Sequence, residues 1–82
     1  MNIYRFECRA MCPIHNELID LYKVVIRSAV IIPVERILAT FARYESRQIF
    51  QEALTQEVAV ILGAEVLTVG VHSGIEVISH AP

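Results

Sequence analysis

The amino-acid sequence predicts an α+β fold of element order ββααββ: a four-stranded antiparallel sheet with two helices on one face, assembled into an oligomeric barrel. Three observations carry this expectation. Stretches with strand periodicity flank a central region where apolar residues recur at helical spacing, and breaker residues separate the elements. The joints between neighbouring strands are short, so those strands pair antiparallel. Each helix has an apolar stripe that needs a sheet face to bury against.

Ile3 to Arg9 alternates, with Ile3, Arg5 and Glu7 on one side and Tyr4, Phe6 and Cys8 on the other, and reads as the first strand. Pro13 to Glu17 carries Pro, His and Asn and reads as a turn. Leu18 to Ser28 is a long strand rich in β-branched residues. Asp20, Tyr22, Val24 and Ile26 share one of its faces, and Ile19, Leu21, Lys23, Val25 and Arg27 share the other. Pro33 opens a helix, where its missing N–H leaves no bond unmade. Val34, Ile37, Leu38 and Phe41 form the expected buried stripe of that helix. Tyr44 to Arg47 is a break, with Ser46 as the expected N-cap of a second helix. The stripe of that helix is Phe50, Ala53, Leu54, Glu57, Val58, Ile61 and Leu62, and Gly63 ends it as the C′ residue. Glu65 to His72 is a third strand, Ser73-Gly74 a tight connection and Ile75 to His80 a fourth strand.

At 82 residues the chain is one domain, residues 1–82. A domain of this size buries only roughly 60–65% of the surface its unfolded chain exposes. Yet 55% of the residues are hydrophobic, more than one small core hides. A homo-oligomer that buries the surplus between subunits is the favoured expectation over an apolar monomer. The sheet face away from the helices is apolar too, and closure with further copies into a barrel removes the free edges.

The seven Lys and Arg residues are scattered against nine Asp and Glu, for a net charge of −2, and form no basic stripe. That excludes a polynucleotide platform and leaves room for a small ligand. Cys8 and Cys12, on one extended strand, lie about 13 Å apart, too far for a disulfide. Arg5, Glu7 and Arg9 interrupt any leader-like segment, and no apolar run approaches the roughly 18 residues of a membrane helix. The expected compartment is the cytoplasm.

Cys12 stands at a strand-to-turn junction, where His15 can lower the pKa of its thiol and make it a nucleophile; a buried, inert thiol is the competing reading. Cys12 and His15 also have the Cys-x-x-His spacing of two zinc ligands, with Cys8, His72 and His80 as sources of a third; an ordinary turn histidine competes with that reading. Cys8 reads as core. Asp20, on a largely apolar strand face, is either a general acid beside Cys12 or a strand-end charge near water. Gln51-Glu52 opens the second helix, where the carboxylate can accept two N–H groups from a guanine-like ring edge; a dipole-favoured surface glutamate is the alternative. His72 ends the third strand with the chemistry of a proton shuttle or of a solvated turn residue.

At these residues the chain resembles the tunnelling-fold superfamily, which includes GTP cyclohydrolase I and the QueF-type nitrile reductases. Cys12-Pro13-Ile14 with Asp20 downstream is similar to the QueF pattern, and Phe50-Gln51-Glu52 resembles its Phe-His-Glu. Val34-Glu35 is similar to the start of its Glu-Ser-Lys, and Gly74-Ile75 to the end of its Arg-Gly-Gly-Ile turn. The resemblance implies rings of antiparallel sheet with helices outside, and a purine, pterin or deazapurine bound between subunits. It implies Cys12 as the nucleophile that forms a thioimide with 7-cyano-7-deazaguanine, a precursor of queuosine-type bases. Asp20 is then the proton donor and Glu52, with Gln51, the base anchor. Asp20 sits one residue later than the pattern, Gln51 replaces its histidine, and Arg36-Ile37 replaces its Ser-Lys, so NADPH is not an expected cofactor.

Arg36-Ile37, Phe41-Ala42-Arg43 and Gln51-Glu52-Ala53-Leu54-Thr55 are similar instead to the helical pair of GTP cyclohydrolase I. There Cys12 and His15 match two zinc ligands and His72 a catalytic histidine. Gly74 stands where that family has its third zinc ligand, and Ile14 where it has a further histidine. Three functions follow: a thioimide-forming enzyme on a purine, deazapurine or pterin ring; a zinc-dependent cyclohydrolase using Cys12 and His15; or a non-catalytic oligomeric module that binds a nucleobase or a protein.

Overall fold

The computed structural model describes residues 1–11 and 19–82. The elements are β1 (Asn2–Met11), β2 (Ile19–Ser28), α1 (Val34–Ala42), α2 (Gln51–Leu62), β3 (Glu65–His72) and β4 (Ile75–Ala81). The sheet has four strands in the order β1-β2-β3-β4, every neighbour antiparallel. The alternation that predicted the strands also orients them. Tyr22, Val24 and Ile26 of β2 and Val66 and Thr68 of β3 are buried, and with Leu54 and Val58 of α2 and Ile37 and Phe41 of α1 they build the core.

On the opposite sheet face Ile3, Ile19, Leu21, Val71 and Ile78 are all more than half exposed. They are interspersed with the exposed charges Arg5, Glu7, Arg9, Lys23 and Arg27. Among the described residues, no helix is long and apolar enough to cross a membrane.

Both helices bury a different stripe from the one that apolar spacing alone selects. In α1 the inward side is Ile37, Thr40 and Phe41, continued by Tyr44, while Val34 and Leu38 are 55% and 57% exposed. Phe41 meets Phe6 of β1 edge-to-face at 4.7 Å. In α2 the inward side is Gln51, Leu54, Thr55, Val58, Ala59 and Leu62, and Phe50 is 60% exposed. The two threonines can be buried because their hydroxyls return to the helix backbone. Thr40 Oγ1 donates to Arg36 O at 2.8 Å and Thr55 Oγ1 to Gln51 O at 2.7 Å.

Ser46 is not the N-cap of α2. The chain after it stays extended because it pairs with the end of β1: Met11 N–H donates to Arg47 O (3.1 Å) and Ile49 N–H to Met11 O (3.3 Å). The helix therefore starts only at Gln51, with Phe50 as a cap that offers no side-chain bond. The C-terminal end follows the expectation. Gly63 adopts φ 61°, ψ 39°, and the Gly63 and Ala64 N–H groups close on Val60 O and Ala59 O as a Schellman motif. Ser73 (φ 52°) and Gly74 (φ 84°) are both left-handed, the backbone of a two-residue type I′ hairpin turn.

Candidate functional site

Strand register brings Asp20 and Tyr22 of β2 next to Gly70 and His72 of β3, on the helix-covered face and at the sheet end where β1 stops and β2 starts. The first turn of α2 lies over this point. Gly70 makes the approach possible. A Cβ there would lie 2.6 Å from both Tyr22 Cδ1 and Cε1 and 2.9 Å from Gln51 Oε1. With no side chain at Gly70, the Tyr22 ring and the Gln51 amide settle directly on the strand.

Gln51 is 5% exposed and its amide is engaged on both sides. Nε2 donates toward Val77 O (2.9 Å), Thr68 O (3.1 Å) and Thr68 Oγ1 (3.2 Å), while Oε1 meets His72 Nε2 at 2.8 Å. Thr68 Oγ1 lies 2.6 Å from Thr55 Oγ1, so the network returns to the helix that starts it. On its other side, His72 Nδ1 is 3.8 Å from Asp20 Oδ1, and the Tyr22 hydroxyl donates to Asp20 Oδ2 at 3.0 Å. The His72 and Tyr22 rings lie 5.9 Å apart, tilted. Tyr22 is 1% exposed, and Asp20 keeps only 15% of its side chain in solvent. The result is a carboxylate, a phenol and an imidazole held together at one sheet end, partly open to solvent and able to hold and pass a proton.

Of the residues singled out from sequence, Asp20, His72 and Gln51 are brought together. Glu52 is exposed, on the first turn of α2 beside Gln51. Cys12 and His15 lie outside the described residues. Sequence reasoning passed over Gly70, Thr55 and Thr68. A glycine inside a β-branched strand is a known sign of close approach and was the legible clue.

The remaining metal-ligand candidates do not converge. Cys8 is buried on the helix-covered face, whereas His80 lies on the opposite face with Nε2 3.1 Å from Glu65 Oε2. Among the described residues no group of three His, Cys, Asp or Glu can hold a metal ion.

Burial pushes the Cys8 thiol from 9.0 up to about 12. The folded state thus holds the protonated form, and its contribution to stability is full below pH 9 and falls as pH rises toward 12. Cys8→Ala is expected to flatten that part of the alkaline loss, read as urea midpoints at successive pH values. Tyr44, raised above 10.0 mainly by burial and then by its bond to Glu57, leaves a residual decline in the variant.

No family model matches the chain, and no curated protein matches it in sequence. Among solved structures, the apo form of the archaeosine synthase QueF-Like superposes with a TM-score of 0.84, covering 98% of this chain and 89% of that one at 18% identity. The chain has the fold of that protein. At that identity the likeness is one of fold. Arg36 donates through Nη2 to Ile61 O at 2.9 Å and ties α1 to the last turn of α2.

Proposed function

We propose that the protein binds a planar 7-deazaguanine-type ring and joins Cys12 to it as a thioimide. The observation that carries this reading is the convergence of Asp20, Tyr22, His72 and Gln51 at one sheet end, in the fold of an archaeosine synthase. Ala10 of β1 pairs with Asp20, and Cys12 follows Ala10 by two residues in the sequence.

Thioimide formation is an addition that balances without a further reactant, and release of the product consumes water or an amine. The Cys12 sulfur adds to the carbon of the nitrile of 7-cyano-7-deazaguanine, a C–S bond forms, and one π bond of C≡N opens. The thiol proton ends on the nitrile nitrogen, passed through Asp20 or His72. Water or an amine then adds to the thioimide carbon and expels the thiol, leaving an amide or an amidine. Glu52 accepts two N–H groups of the ring edge. The apolar sheet face is covered by further copies of the chain, and the ring sits between subunits.

The test is intact-mass spectrometry of protein incubated with 7-cyano-7-deazaguanine, with sedimentation of the same sample. The expected result is one covalent ligand per chain in a species larger than one chain. Cys12→Ala should abolish the adduct and Cys8→Ala should not. A wild-type protein that stays unmodified at saturating ligand refutes the thioimide.

A further inference from the structure

We propose that Gln51 is a positioning residue that holds His72 in one tautomer, hydrogen on Nε2, so that the proton His72 gains or gives sits on Nδ1 and faces Asp20. The inference rests on the proposed proton role of His72 but stands on hydrogen-bond directions that need no ligand. These directions have one consistent assignment. Thr55 Oγ1 donates to the Gln51 backbone carbonyl, which has no hydrogen to give. Thr68 must then donate to Thr55, and its oxygen is left to accept from Gln51 Nε2.

The amide cannot turn over. Its oxygen would then face two backbone carbonyls, Val77 O and Thr68 O, across 2.9 Å and 3.1 Å. With Nε2 of Gln51 held there, Oε1 must face His72, and an acceptor at 2.8 Å requires a hydrogen on His72 Nε2. Among the described residues, no buried side-chain polar atom lacks a partner, so the network is closed.

The Nε2–H is common to neutral and protonated imidazole. A proton arriving at Nδ1 makes an imidazolium beside the Asp20 carboxylate, and its departure restores the neutral ring. The buried amide and hydroxyls keep the same bonds throughout, which avoids reorganisation during transfer. Tyr22 occupies Asp20 Oδ2 and leaves Oδ1 turned to His72.

The experiment is nitrogen-15 NMR of histidine-labelled protein without ligand. The expected result for the wild type is a His72 Nε2–H resonance protected from solvent exchange in both protonation states. Gln51→Leu should lose that protection while the two-state urea transition persists, and should slow Cys12 adduct formation at least about tenfold at saturating ligand. A neutral wild-type His72 with its hydrogen on Nδ1, or an unprotected Nε2–H, overturns the proposal even if Gln51→Leu does not fold. A wild type that forms no adduct yet shows the protected resonance sinks the thioimide and leaves the tautomer intact.

Discussion

Glu52→Gln is expected to weaken binding of 7-cyano-7-deazaguanine by about 10- to 150-fold, the value of a hydrogen bond to a charged group. A guanine-like edge presents adjacent N–H donors, and a carboxylate accepts from both. An amide offers one acceptor and sets its own NH2 against the second ring donor. The loss is therefore a mismatch as well as a lost charge. Glu52 is exposed on the first turn of α2, so the substitution leaves the core untouched and removes only a dipole interaction of about 0.3–1 kcal/mol. Calorimetric titration in a Cys12→Ala background separates binding from adduct formation. Equal affinity in the two proteins would remove Glu52 from the ring site.

Gly70→Ala should lower stability by about 1–3 kcal/mol, the range for overpacking a filled interior. It should also disrupt the proton-handling cluster. The added carbon would lie 2.6 Å from two atoms of the Tyr22 ring and 2.9 Å from Gln51 Oε1. The ring is 1% exposed and pinned through its hydroxyl to Asp20, so it has no room to retreat. If the Gln51 amide moves instead, it leaves the His72 ring and the Val77 carbonyl. Urea unfolding measures the first effect and the His72 imidazole spectrum the second. A variant as stable as the wild type, with an unchanged spectrum, would mean that the contact at Gly70 is slack. Gly63 and Gly74 behave differently, since nothing lies within 4 Å of a Cβ there and the strain comes from φ values of +61° and +84°.

The strands, their faces and the hairpin turn were legible because they follow from local patterns. Side chains alternate along a strand, so Tyr22, Val24 and Ile26 declare a common face wherever the strand packs. Ser73-Gly74 and Gly63 declare positive φ by residue type. The helix stripes were legible only in part. An apolar count prefers Val34 and Leu38 to Thr40, and Phe50 to Gln51, because it assigns a hydroxyl or amide to solvent. Burial reversed that order where the polar group found a partner, Arg36 O for Thr40 and the β3–β4 carbonyls for Gln51.

Ser46 shows the same limit at a helix end. As a residue type it suits an N-cap, but pairing of Met11 with Arg47 and Ile49 keeps the chain extended past it. That pairing joins residues far apart in sequence and has no local signature.

Residue order alone thus settles the succession of elements, the strand faces and the chemically able side chains Asp20, Gln51 and His72. Each is a property of one residue or of near neighbours. Folding in three dimensions decided that Asp20 and His72 face each other, that Gln51 turns inward to bind His72, and that Gly70 makes space for Gln51 and Tyr22. Those relations depend on strand register and on the seating of α2, which arise when distant segments compete for the same buried volume and the same hydrogen-bond partners.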